Sequence, residues 1–175
     1  LTPDILYIHG LVSADGSNNG RMVYLTNVEK ILHTTFQKIL KEYFNVSVLT
    51  YKCKNSRTLI SEVGNKVLAE FFNKLSHKLL LLPKELVRAW IAGVIDGDGY
   101  VSSRKVGVAV GSRDFAYTVL IASLKLGLYA YLRKVHRGES VINGRVITSK
   151  KDGYWYVHFA KTDELISELK EMTKS

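Results

Sequence analysis

Cysteine is nearly absent from this chain: Cys53 stands alone, which excludes an internal disulfide framework and a cysteine-rich zinc site. The five histidines, His9, His33, His77, His136 and His158, show no HExxH spacing. No apolar run approaches the length of a membrane span, and LLLL at 79–82 is far too short. The N-terminus has no signal-peptide pattern, so the expected location is the cytoplasm, nucleoid or an organellar matrix, not secretion. Acid is also scarce. Lys and Arg number 25 against 16 Asp and Glu, a net charge of +9 with a pI near 9.6. A basic chain of 175 residues points to a polyanionic partner, most often nucleic acid.

What the sequence does have is a repeat. Residues 8–16 read IHGLVSADG and residues 91–99 read IAGVIDGDG, an offset of 83. Ile8, Gly10, Asp15 and Gly16 recur as Ile91, Gly93, Asp98 and Gly99. Similarity at this long period indicates two copies of one structural unit. The expected division is 1–80 and 81–175, with the boundary around His77–Lys84.

Hydrophobic spacing fills in each copy. Pro3 opens a helix over Asp4–Ala14, stopped by Gly16. SNNG at 17–20 reads as a turn and RMVYLT as a strand. Val28–Phe44 has helical spacing through Ile31, Phe36, Ile39, Leu40 and Tyr43. Strands follow at Val46–Tyr51 and Arg57–Val63, then a helix at Asn65–Leu75 with Val67, Leu68, Phe71 and Phe72 apolar. In the second copy Pro83 begins a helix running to Gly97. A hairpin at Tyr100–Ser103 and Val106–Val110 comes next, then a helix at Asp114–Leu126 ended by Gly127. Strands at Leu128–His136 and Tyr154–Ala160 precede a last helix capped by Thr162 or Asp163. The fold class is α+β: αββαββα twice, related by a pseudo-two-fold, with two antiparallel sheets. An insert at 137–153 contains VINGRVIT, a candidate hairpin around Asn143-Gly144.

Gly10 and Ala14 are four apart, as are Gly93 and Gly97, so each pair lies on one helix face. Small residues there let two helices approach backbone to backbone. If they pack in parallel, Asp15 and Asp98 emerge side by side, next to two helix dipoles of the same unfavourable sign. Such a cluster attracts a divalent cation with oxygen ligands, and in a basic protein implies phosphodiester hydrolysis. Two lookalikes fail. DGDG would need acids at Tyr100 and Gly107 to be a calcium loop. Gly97-x-Gly99 follows a helix rather than a strand, so it is no dinucleotide fingerprint.

These motifs resemble the two signature motifs of the LAGLIDADG homing endonucleases, and the resemblance covers essentially the whole chain. It implies a single-chain, monomeric, two-motif nuclease straddling duplex DNA with a saddle of two sheets. It implies Mg²⁺ as cofactor, with Mn²⁺ or Ca²⁺ able to substitute and Ca²⁺ not supporting turnover. The catalytic acids fall at Asp15 and Asp98, with Ala14 and Gly97 at the same helix ends among the metal-contacting positions. Ser13 departs from the motif's first aspartate, which Asp96 retains. Asn27 and Lys161 are the expected polar neighbours of the site; Ser112 and Arg113 occupy the place in the second copy that corresponds to Asn27. The intein splicing ends are absent, so an intron-encoded or free-standing enzyme, or an excised domain, is expected. The alternatives on the same fold are a maturase acting on intron RNA and a catalytically inactive DNA-binding regulator.

Strand alternation assigns a nucleic-acid face. Leu128, Ala130 and Leu132 suit the core, leaving Tyr129, Tyr131, Arg133 and Arg137 outward. Trp155, Val157 and Phe159 suit the core, leaving Tyr154, Tyr156 and His158 outward. The equivalents in the first copy are Arg21, Tyr24, Lys52, Lys54 and Arg57. Arg104 and Lys105 in the second hairpin, and Arg145, Lys150 and Lys151 in and beside the insert, complete the expected contacts.

Overall fold

The computed structural model describes residues 1–101, 106–135, 140–142, 145–147 and 154–159, with backbone alone for 101, 140–142 and 145–147. Arg104, Lys105, Arg137, Lys150, Lys151, Lys161, the Asn143-Gly144 turn and the last helix lie outside these residues, as does the side chain of Arg145.

The first copy runs α1 (Pro3–Asp15), β1 (Gly16–Asn18), β2 (Met22–Asn27), α2 (Lys30–Phe44), β3 (Leu49–Lys52), β4 (Leu59–Gly64) and α3 (Lys66–Lys78). A short 3₁₀ turn at Leu79–Leu81 leads to the second copy. That copy runs α4 (Lys84–Asp98), β5 (Gly99–Val101), β6 (Val106–Val110), α5 (Arg113–Lys125), β7 (Ala130–Val135), the insert strands β8 (Ser140–Ile142) and β9 (Arg145–Ile147), and β10 (Tyr154–Phe159). Each copy builds a four-stranded antiparallel sheet, in the orders β1-β2-β4-β3 and β5-β6-β10-β7. The two orders match strand for strand, as a duplicated unit requires. β8 and β9 pair separately as the expected insert hairpin.

Local chemistry sets the helix limits. Thr2 caps α1 through Ile5 N at 3.4 Å, and Asn65 caps α3 through Leu68 N at 3.0 Å. Gly127, at φ +84°, stops the chain after α5 in a conformation that side chains resist.

Three expectations need correction. SNNG is not all turn, because Gly16–Asn18 pairs with β2 and only the following residues reverse the chain. Ile31 and Tyr43 are 50% and 37% exposed, since α2 starts at Lys30 and buries the stripe Leu32, His33, Phe36, Ile39 and Leu40 instead. Val67 is 77% exposed at the start of α3, whose buried stripe is Leu68, Ala69, Phe72 and Leu75. An i, i+3, i+4 pattern allows neighbouring stripes; the sheet position chooses among them.

α1 and α4 lie at the centre. Residues 5–12 of α1 are all buried, as are residues 90–95 of α4. A helix apolar on every side belongs inside a core. Each sheet closes over its own cluster, yet Ile5 and Leu6 of α1 pack into the second copy's core and Ala92 of α4 into the first. Each fully buried Leu or Ile there contributes about 1.5–3 kcal/mol.

Candidate active site and nucleic-acid interface

The seam between α1 and α4 is made by glycine. A Cβ built on Gly10 would strike the carbonyl oxygen of Trp90, and one on Gly93 the carbonyl oxygen of Tyr7. A Cβ on Gly97 would sit 3.0 Å from Ala14 Cβ and 3.4 Å from Asp15 Cβ. Contacts therefore advance together along both helices: Tyr7 and Leu11 meet Gly93, and Asp15 meets Gly97. The helices are parallel, and their C-termini deliver Asp15 and Asp98 to one place.

Both carboxyls are half-buried there. Burial, then the negative charge of Asp15, pushes Asp98 up to about 6. Asp15 is also raised by burial, offset in part by an Asn27 hydrogen bond and by His33. Two carboxyls in a partly dry site with two unfavourable helix dipoles form an anionic pocket, and among the described residues no cation pairs with either. No third His, Cys, Asp or Glu joins them among the described residues. Two carboxylates at backbone carbonyls fit a hard cation that takes its remaining oxygens from water and phosphate, which is the habit of Mg²⁺.

Asn27, the last residue of β2, donates from Nδ2 to Asp15 Oδ2 at 2.5 Å, and its Oδ1 accepts from Glu29 N at 2.7 Å. The two bonds fix the amide. Behind it lies a polar chain that sequence reading missed. His33 Nε2 donates to the Asn27 carbonyl at 3.1 Å, because a carbonyl only accepts. In that tautomer Nδ1 accepts from Ser61 Oγ at 2.7 Å, Ser61 accepts from Thr50 at 2.5 Å, and Thr50 accepts from Gln37 Nε2 at 2.7 Å. His33 and Ser61 are fully buried. A histidine inside an apolar helix stripe was the one signal for this chain. His33→Leu should remove the acceptor of the Ser61 hydroxyl and the imidazole's bond to the Asn27 carbonyl. The expected cost is roughly 1–3 kcal/mol of stability in a denaturant melt, and an unchanged melt would show the chain to be dispensable.

The second copy has no such clamp among the described residues at the matching strand end, where Val110 is buried. Ser112 instead caps α5 through Phe115 N at 3.3 Å. Arg113 lies over the rings of Tyr117 and Trp155, 5.4 and 5.9 Å from their centroids. Ser13 donates to the His9 carbonyl at 2.7 Å, whereas Asp96 accepts from Tyr7 OH at 2.7 Å. Trp90 stands where the repeat places Tyr7's counterpart, and its buried Nε1 has no acceptor among the described residues. The substitution of serine for the first motif acid thus falls on helix-to-helix bonding rather than on the acid pair.

Protons and a divalent cation compete for this pair, with a definite sign. Both folded-state pKa values lie above the unfolded ones, so without metal the folded state binds more protons. The pair then costs least at pH below about 4 and destabilises increasingly as pH rises through about 6. Thermal melts of metal-free protein at constant ionic strength should show Asp98→Asn gaining on the parent between pH 4 and 7. A difference that stays flat over that range would refute the environment described.

The bare faces of the sheets carry the expected aromatics. Tyr131 and Arg133 are exposed on β7, opposite Leu132, and Tyr129 just before it is 73% exposed. Tyr154 and Tyr156 are half-buried on β10. His158 is corrected: it is on the bare side but only 6% exposed. Tyr100 OH meets its Nδ1 at 2.6 Å, and the rings of Tyr131 and Tyr156 cover it at 4.9 and 5.8 Å. His158 therefore organises the aromatic row rather than facing outward. Lys52 is also corrected. It is in phase with Thr50, whose hydroxyl turns to Gln37 under the sheet, so it falls on the helix side at the strand end. Arg21, Lys54 and Arg57 are exposed on turns, and Tyr24 is half-buried on the bare side of β2, its hydroxyl 3.1 Å from Met22 sulfur.

Two parallel motif helices, each ending in an acid beside a bare-faced antiparallel sheet, define a single-chain scaffold in which one acid pair serves both sheets. The chain belongs to the LAGLIDADG-like domain family, whose model matches residues 85–172. Among solved structures, the homing endonuclease I-DmoI in complex with DNA and Mn has a TM-score of 0.70 and 16% identity, covering 99% of this chain and 97% of that one. Among curated proteins, an A-type ATP synthase subunit of Methanopyrus kandleri is 31% identical over 135 residues, 75% of this chain but 14% of that protein. The glutamine–fructose-6-phosphate aminotransferase of Methanocaldococcus jannaschii is 24% identical over 186 residues, 94% of this chain and 17% of that protein. The chain thus spans only a small part of the curated relatives it matches.

Proposed function

We propose that this chain is a site-specific endonuclease that holds a long duplex DNA target on the bare faces of its sheets and hydrolyses a phosphodiester bond in each strand. The observation that carries the reading is the convergence of Asp15 and Asp98 at two parallel helix ends in a chain of net charge +9. Mg²⁺, when bound, supplies activation of water and neutralisation of charge at the scissile phosphate. Asp15 and Asp98 hold the ion, with the backbone at Ala14 and Gly97 beside them. Asn27 keeps Asp15 in orientation. Lys161 is proposed to stabilise negative charge at the phosphate. Arg133 and the exposed tyrosines contact base edges and phosphates in one half-site; Arg21, Lys54 and Arg57 contact phosphates in the other. One chain supplies both acids, so the proposed active form is a monomer.

The curated relatives support a second element of the reading. The same segment matches a small part of an ATP synthase subunit and of an aminotransferase, two proteins of unrelated activity. That distribution fits a mobile insert with its own activity. Matches within longer polypeptides also favour the excised-domain alternative, an origin inside a protein-coding sequence, over an intron-encoded or free-standing enzyme. The test is cleavage of a randomised duplex library in Mg²⁺, followed by sequencing of the ends. Recurrent ends at one long sequence support the proposal; ends scattered without preference, or none at all, refute it.

A further inference from the structure

The bare face of the first sheet carries a carboxylate. Glu62 stands on β4 between Ser61 and Val63, both buried under the helices, so its side chain belongs to the opposite face. The row across that face is Ser17, Tyr24, Glu62 and Leu49. The matching row of the second sheet is Tyr100, Gly107, His158 and Tyr131. Glu62 thus takes the place of His158. His158 is sealed beneath rings, whereas Glu62 is partly open. Tyr51, exposed on β3, donates its hydroxyl to Glu62 Oε2 at 3.0 Å and so restrains the carboxylate. Among the described residues no lysine or arginine pairs with Glu62.

A carboxylate on a face that meets a polyanion repels phosphates, so its contribution to binding must come from elsewhere. An ionised carboxylate only accepts hydrogen bonds. In the major groove, guanine and the thymine oxygen offer acceptors, which would repel it. Adenine offers its N6 amino group beside the N7 acceptor. Cytosine alone presents an amino donor, N4, with no acceptor of its own beside it. We propose that Glu62, held by Tyr51, accepts a hydrogen bond from the N4 amino group of one cytosine and so fixes a C·G pair in the half-site covered by the first sheet. The proposal rests on the duplex-DNA reading above.

The experiment is selection of bound sequences from a randomised duplex library, in metal-free buffer so that nothing is cut. The full chain is compared with Glu62→Gln and Tyr51→Phe. Glu62 is partly exposed, so Glu62→Gln should fold; a matching thermal melt confirms it. The parent should select cytosine at one position of the first half-site. In Glu62→Gln that preference should fall by roughly tenfold or more at that position alone, shifting towards adenine, which an amide can bridge. Tyr51→Phe should weaken the same preference without changing the salt dependence of binding. Two outcomes overturn the proposal alone. One is an unchanged preference profile in Glu62→Gln; the other is tighter binding to all sequences alike, the mark of a merely repulsive charge. A parent chain that enriches no sequence overturns the duplex-DNA reading, and this proposal with it.

Discussion

Asp98→Asn and Asp15→Asn should each lower Mg²⁺-dependent strand cleavage by roughly a thousandfold, with duplex binding retained or slightly tightened. The size follows from the several kcal/mol that a positioned divalent ion contributes to the transition state, at about 1.4 kcal/mol per tenfold in rate. The retained binding follows from charge. Each acid would point negative potential at a bound duplex, and Asp98 is already driven up to about 6 by burial and by Asp15. Removing one carboxylate relieves the other, so the double variant should bind no worse than either single one. The measurement pairs a cleavage time course in Mg²⁺ with binding to the same duplex in metal-free buffer. Near-parental cleavage by either variant would remove the acid pair from the chemistry. The two acids should also respond differently to loss of their neighbours. Asn27 is fixed towards Asp15 but no described residue clamps Asp98, so Asn27→Ala should act directly on Asp15 and reach Asp98 only through the charge of Asp15.

The second large effect is structural. Gly93→Ala and Gly10→Ala should each destabilise the protein, by roughly 1–3 kcal/mol, and the leucine variants by more. In an ordinary exposed helix the sign is opposite, because alanine is favoured over glycine by about 0.5–1 kcal/mol. Here the new methyl group would meet a backbone carbonyl of the facing helix, not a side chain that can swing aside. The backbones of the two helices would have to move apart at that contact. Gly64 is the control: nothing lies within 4 Å of its Cβ direction, so Gly64→Ala should be close to neutral. Urea melts of these variants decide the matter. Stability gained at Gly10 or Gly93 would mean that the helices do not meet there. A loss of this size is a large share of the roughly 5–15 kcal/mol usual for a folded domain.

Much of this was legible in the chain itself. The duplicated nine-residue motif carried the helix pair, the glycine seam and the identity of both acids. Alternation in β7 and β10 put Leu132, Val157 and Phe159 inside and Tyr131 and Arg133 outside, as the structure has them. A residue's period tells which of two faces it shares with its neighbours. It does not tell how deeply the face is covered, which is why His158 had the right side and the wrong exposure. It also leaves helical stripes ambiguous, as Ile31 and Val67 show. The chain from Gln37 through Thr50, Ser61 and His33 to Asn27 was invisible for a different reason. Its members come from α2, β3, β4 and β2, and no local pattern records that their polar atoms meet.

The sequence by itself determined that two like units exist, that each ends a buried helix in an aspartate, and that the whole is strongly basic, because these depend only on residue type and spacing. Tertiary structure alone decided what those features become. Parallel packing, permitted by Gly10 and Gly93, brought two distant carboxyls into one half-buried pocket and raised both their proton affinities. Strand register set Glu62 in the place of His158, one partly open and the other sealed beneath tyrosines. Proximity, burial and register are properties of the folded chain, and they turn a pair of ordinary Asp-Gly steps into a half-buried acid pair.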